Sequence, residues 1–240
     1  MSNITLNLIE SEKKAKDITV KNHSEVFKLV AAMLNLYVNG FSLTGRLNGK
    51  NSDTDWFWLF SITRSFHALR CSVELMQKAY YAQAMSLIRM VTEAYFLCGN
   101  CENDKTIIDA ALHNRPNRPD GSTRFNYKRL ATNMGSLVMY EKDYTFECQF
   151  SHTSNLSLAI MTTEIDSSNR ELGAVPVYDE MLFIACCELA LKNGLLMASF
   201  VERLLDDLSK EKVNAWRIKA KTGTQQIQEW LDGLKERYGS

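Results

Sequence analysis

The chain has 240 residues, long for one average domain and short for two, so one domain with extensions is the expected organisation. Hydrophobic residues make up 45% and charged residues 23%, globular proportions that argue against disorder. Lys plus Arg equals Asp plus Glu at 28 each, so no net field directs the molecule to nucleic acid or membrane, and any such surface must come from local clustering.

Only 3 prolines and 11 glycines punctuate the chain, which favours long helices over the many turns of an all-β fold. Residues 1–20 are polar with a short alternation at Ile4, Leu6 and Leu8, and read as an arm, either extended or disordered. They lack the apolar core and small-residue cleavage site of a secretory signal. Ser24 is a candidate N-cap for a helix of about 24–47, along which Phe27, Val30, Leu34 and Val38 step by three and four. A polar break at 48–55 precedes the clearest periodicity: Leu59, Ile62, Phe66, Leu69, Val73 and Met76. The phase changes at Tyr80–Tyr81, predicting helices over 54–79 and 82–98 joined by a tight turn.

A short helix is expected at 105–112, an irregular segment at 114–122 where two prolines and a glycine cluster, and further helix at 123–133 and 136–150. Residues 153–176 form a polar connection with the makings of a hairpin: Leu156, Leu158 and Ile160 alternate, and Ser167–Asn169 suits a turn. The helix over 177–208 should bury Met181, Ile184, Leu189, Leu195, Met197 and Val201. Its apolar stretch approaches membrane length, but Glu188, Lys192 and Asn193 interrupt it, so a core helix is expected rather than a bilayer span. Two more helices, about 209–221 and 224–237, close the chain. The expected fold is therefore all-α: a bundle of about seven helices, with an arm at 1–20, the bundle at 21–208 and a helical extension of the same domain at 209–240.

The six cysteines, including the adjacent Cys186 and Cys187, suit a reducing compartment, and a cytoplasmic protein is expected. Phosphate-binding glycine loops, the HExxH zinc motif and the GxSxG nucleophile elbow are all missing from the sequence, so nucleotide-loop enzymes, zincins and α/β-hydrolases are disfavoured.

Four constellations carry possible chemistry. Arg89 and Glu93 are an i,i+4 pair inside an apolar stretch, with Arg64 one helix earlier; antiparallel packing would bring Arg64 and Arg89 together. The competing reading is an ion pair that fixes helix register. Ser151-His152-Thr153-Ser154 places a histidine among hydroxyls at a helix end, suited to proton transfer or to simple capping. Cys98 and Cys101, with Cys148 and His152 at i,i+4, form a Cys3His set compatible with structural zinc, although Gly99–Asn100 also reads as a plain turn. Arg115, Arg118, Arg124, Lys128 and Arg129 form a basic segment interleaved with Phe125 and Tyr127, the combination that binds single-stranded nucleic acid; a solvated loop is the alternative. Residues 210–221 are basic as well, around Trp216.

The run from Ala84 through Leu87, Arg89, Glu93 and Ala94 resembles the core helix of a bacterial family of unknown function, with the pattern A-x-x-L-x-R-x-x-x-E-A. Arg64 on the preceding helix, and Tyr144 followed by Ser151-His152, resemble further pieces of that family over about 60–155. More distantly the layout is similar to HEPN-type helical proteins, many of them RNases of defence and toxin systems. HEPN nucleases carry a closely spaced Arg and His on one helix, whereas here Arg64 stands only three residues before His67. The first resemblance implies a helical bundle with no settled activity, and the second a HEPN-like core; together with the Met, Trp and Tyr carried on the helices, the latter leads to the expectation of a homodimer. Chemistry supplies the site expectation: RNA cleavage without metal or cofactor needs a proton acceptor and donor, for which His152 is the candidate, cations on the phosphate, for which Arg64 and Arg89 are, and Glu93 to orient an arginine. The alternative it leaves is a non-catalytic interaction or regulatory module.

Overall fold

The computed structural model describes residues 3–44, 52–116, 118–120, 124–151, 162–166, 169–172, 176–205 and 210–238. They form a helical bundle with one small hairpin. In chain order the elements are α1 (Asn3–Asn22), α2 (Ser24–Thr44), α3 (Asp53–Gln77), α4 (Tyr81–Asn100), α5 (Lys105–Leu112), α6 (Tyr127–Asn133) and α7 (Leu137–Met139). A π-helical turn (Tyr140–Tyr144) then leads into α8 (Thr145–Ser151), β1 (Thr162–Asp166), β2 (Asn169–Leu172), α9 (Glu180–Leu204) and α10 (Lys210–Tyr238).

Helices α3 and α4 form the central antiparallel hairpin. α3 opens on a capping box: the Asp55 N–H donates to Ser52 Oγ at 3.2 Å, and the Ser52 N–H donates back to Asp55 Oδ2 at 2.8 Å. It closes at the expected tight turn, where Ala79 takes φ 63° and the Tyr80 N–H donates to the Leu75 carbonyl at 2.9 Å. That left-handed residue is an alanine rather than the glycine such turns prefer. Buried Ile62, Leu69 and Met76 of the predicted stripe face α4, and Trp58 Nε1 donates to the Cys98 carbonyl at 3.1 Å, locking the far end of the hairpin.

α9 runs across α2, α3 and α4. Gly194 permits the α2 contact: a β-carbon there would collide with Met33, and its carbonyl accepts from the Tyr37 hydroxyl at 2.5 Å. Ile184, Leu189, Met197 and Val201 are buried as expected and Leu195 is half-buried, but Met181 is 57% exposed because it sits in the first turn, before α9 enters the core. α2 and α9 are each long and apolar enough to cross a membrane by length and composition.

Two expectations change and a third is met. The arm at 1–20 is helical: Ala15 and Thr19 form its narrow buried face, and Glu12 ties it to the α3–α4 turn through Lys78 Nζ at 2.9 Å and the Tyr80 hydroxyl at 2.8 Å. A face of two small residues gives almost no apolar periodicity to read. The two C-terminal helices are one, because the buried stripe Val213, Trp216, Gly223, Ile227, Leu231, Leu234 runs on through the expected break between 221 and 224. Gly223 is buried, and a β-carbon there would lie 3.9 Å from Leu36 Cδ1, so it is a core position held by the smallest residue. A hairpin is present between 153 and 176, in the strands Thr162–Asp166 and Asn169–Leu172. Its antiparallel strands pair Thr162 with Leu172 and Glu164 with Arg170, whereas the alternation at Leu156–Ile160 falls outside the described residues.

Candidate functional site

The polar residues of α4 are disposed by helical geometry on the side facing α6 and α8. Arg89 Nε donates to Glu93 Oε1 at 3.0 Å, with the two side chains 23% and 19% exposed, so the pair is neither sealed in the core nor free in solvent. Tyr144 donates its hydroxyl to the same Glu93 oxygen at 3.0 Å. The π-helical turn supplies this contact: the wider turn rotates Tyr144 inward, while Tyr140 stacks on it at 5.2 Å between ring centroids and an interplanar angle of 26°. Tyr127, at the start of α6, completes the wall at 5.5 Å from Tyr144.

Electrostatics binds these residues into one site. Burial raises the Tyr127 phenol above its ordinary range and the Glu93 charge raises it further, while Arg89 and Arg64 pull the other way. Arg64 itself is exposed. The Tyr144 phenol is also raised, first by burial and then by Glu93. Cys148, one turn further along α8, is raised by burial, with Tyr144 and Arg89 acting in the opposite sense. His152 lies outside the described residues.

Behind this face is a second polar group that the sequence reading missed. Glu147 is fully buried and accepts from Thr92 Oγ1 at 2.9 Å and from Asn193 Nδ2 at 2.8 Å. Burial pushes its carboxyl up to about 8; the two hydrogen bonds pull it down, and Asp143 and Glu93 add to the rise. The carboxyl is thus neutral at pH 7 and able to hold a proton inside the bundle. Asn193, seen in the sequence only as an interruption of an apolar run, was the legible clue.

The basic segment divides. Arg118, Arg124 and Arg129 line a cleft of about 240 Å3 with Thr106, Phe125 and Asn126. Arg115 faces a different cleft, of about 430 Å3, shared with Asp53, Glu102 and Asp109, and pairs with Asp109 at 3.4 Å. Lys128 is exposed and lines neither of these two clefts. On α10, Trp216 is largely buried and lines a cleft of about 680 Å3 with Arg217 and Lys221, in company with Glu202, Glu229 and Asp232.

The four zinc candidates do not form one described cluster. Cys98 and Cys101 are buried beside Trp58 at the end of α4, whereas Cys148 stands on α8 among Tyr144, Arg89 and Glu93. Among the described residues no three His, Cys, Asp or Glu side chains are grouped as a metal site.

Comparison with family models, with curated proteins and with solved structures finds no match. The functional reading therefore rests on the residues themselves.

Proposed function

We propose that this chain binds single-stranded RNA across the face formed by α4, α6 and α8 and cleaves it in the manner of a metal-independent, HEPN-like RNase. One observation supports the reading: the half-buried Arg89–Glu93 pair meets the Tyr144 hydroxyl, with the rings of Tyr127 and Tyr140 beside it, and Arg64 stands exposed on the neighbouring helix. Arginine forks suit phosphate oxygens, and stacked tyrosines suit unpaired bases. His152 follows Ser151, the last residue of α8, directly in the chain. In the proposed reaction the 2′-hydroxyl gives its proton to His152 and its oxygen bonds to phosphorus. The bond from phosphorus to the 5′-oxygen breaks, and that oxygen receives a proton. Arg64 and Arg89 stabilise the charge on the phosphate oxygens, and Glu93 orients Arg89. RNA as substrate fits a cytoplasmic location.

Incubation with mixed single-stranded RNA tests this. The native chain should cleave, and His152→Ala and Arg89→Ala should each slow cleavage by about 100-fold or more. No cleavage, or equal cleavage by all three proteins, sinks the reaction.

A second reading, a non-catalytic interaction or regulatory module, draws on the closed Arg89–Glu93–Tyr144 contact, in which the partners satisfy one another as a register-fixing ion pair does. Both readings include a homodimer. Trp56 and Phe60, one turn apart on α3 and each 53% exposed, lie one and two turns before Arg64 and suit burial against a second copy. Light scattering at micromolar concentration should give twice 27.4 kDa, and Trp56→Glu with Phe60→Glu should return it to the monomer. A native protein that scatters only as a monomer refutes the dimer.

A further inference from the structure

Two hydrogen bonds tie the segment 140–151 to α4, and each joins a carboxyl to a hydroxyl. Thr92 Oγ1 donates to Glu147 Oε1 at 2.9 Å, and the Tyr144 hydroxyl donates to Glu93 Oε1 at 3.0 Å. Thr92 and Glu93 are neighbours on α4, while Tyr144 and Glu147 stand three residues apart. We infer that Glu147 is a latch: protonated, it holds α8 against α4 and keeps Tyr144 on the Arg89–Glu93 pair, and on losing its proton it releases both. The latch concerns the packing of that face and stands apart from the RNA reading.

Geometry makes Glu147 the point on which α8 depends. The helix has seven residues, fewer than the roughly 12 at which an isolated helix becomes even marginal in water, so tertiary contact must hold it. Among the described residues its buried side chains are Glu147 and Phe150. α9, by contrast, is buried at intervals all the way from Phe183 to Leu204. The π-helical turn ahead of α8 also interrupts the α-helical hydrogen-bond pattern.

The space around the carboxyl is closed. Glu147 is 0% exposed. Asn193 Nδ2 donates to it at 2.8 Å and to Thr92 Oγ1 at 2.7 Å, so α9 braces both the carboxyl and its α4 partner. A neutral carboxyl fits this space, whereas an ionised one loses its hydration. The charges nearby add to that cost. Glu93 on α4 and Asp143 in the π-helical turn both repel a carboxylate. Arg89 is bound to Glu93, and Lys192 of α9 pairs with Glu188 and, with Lys142, acts on Asp143. On its own segment the neighbours are the Tyr144 phenol and the Cys148 thiol, both raised by burial. Burial accordingly lifts the Glu147 carboxyl from 4.5 to about 8. Release of α8 returns it to water, where it ionises near 4.5. Between those values the open form carries one proton fewer, so opening gains about tenfold per pH unit as pH rises, and levels off above 8.

Amide hydrogen exchange tests the latch, read by mass spectrometry at pH 5, 6, 7 and 8 and corrected for the intrinsic pH dependence of exchange. At pH 8 the segment 140–151 should be less protected than α3 and α9, the sign of local rather than global opening, and from pH 5 to 8 its protection should fall by about tenfold per unit. Glu147→Gln and Glu147→Met, each neutral at every pH and each checked by circular dichroism, should hold that protection constant across the range. Protection of 140–151 at pH 8 equal to that of α3 and α9 means that α8 opens only with the whole fold, and overturns the latch. A slope that survives both substitutions belongs to another titrating group and overturns it as well. Loss of protection confined to 145–151, with 140–144 unchanged, overturns the hold on Tyr144.

Discussion

Replacing Glu147 with Gln should make the protein more stable at pH 8 and remove a pH dependence that the native chain shows between about pH 4.5 and pH 8. The native carboxyl sits fully buried between Thr92 and Asn193, and burial raises its pKa to about 8 from an ordinary 4.5. In the unfolded chain it ionises near its ordinary value. Between those two values the folded state holds a proton that the unfolded state has released. Stability therefore falls as pH rises through this window and levels off, for this group, above pH 8. The full effect is roughly 5 kcal/mol, from about 1.4 kcal/mol per pKa unit. Glutamine stays neutral throughout and keeps an acceptor for Thr92 and Asn193. Urea melts of both proteins at pH 5, 6, 7 and 8 measure the difference. Parallel stability curves would show that Glu147 is not the buried proton-holding group. Asp143 and Glu93, the nearby carboxylates, remain in both proteins, so the difference isolates Glu147. Glu147→Ala should instead destabilise at every pH, because Asn193 loses an acceptor and a cavity opens.

Trp216→Ala should cost about 3–5 kcal/mol and loosen α10 from the bundle. Trp216 is 4% exposed, and its Nε1 donates to the Leu36 carbonyl of α2 at 3.0 Å. Gly40 of α2 makes room for this junction. A β-carbon there would collide with Val201 Cγ1 and lie 3.6 Å from Trp216 Nε1, so α2, α9 and α10 meet where one residue has no side chain. Removing the indole strips the largest apolar surface from that junction and leaves a buried carbonyl without its donor. Thermal unfolding measures the loss, and protease cleavage should begin within 210–238. A shift in Tm of under about 2 °C would show that α10 gains little from this contact.

Much of the bundle was legible locally. The helix near Asp53 starts on a Ser52–Asp55 capping box, and its stripe at spacings of three and four faces α4 through Ile62, Leu69 and Met76. Such signals lie within a few residues of one another, so they survive without knowledge of the fold. The Arg89–Glu93 pair was legible for the same reason, being set by one helical turn.

What the tertiary structure decided is whatever depends on residues far apart in the chain. α1 is helical because Glu12 finds Lys78 and Tyr80, while its own buried face is only Ala15 and Thr19. α10 runs unbroken through 222–223 because its buried stripe, Val213, Trp216, Ile227, Leu231 and Leu234, packs on the bundle along its whole length. The Glu147–Thr92–Asn193 group is drawn from α8, α4 and α9, three helices whose sequence separations give no hint of contact. Its members looked like isolated polar residues because burial, which converts an ordinary carboxylate into one holding its proton at neutral pH, is a property of the packed chain. The contact of Tyr144 with the Arg89–Glu93 pair belongs to the same class: helical spacing fixed the pair, and only the tertiary packing brought the Tyr144 hydroxyl to Glu93.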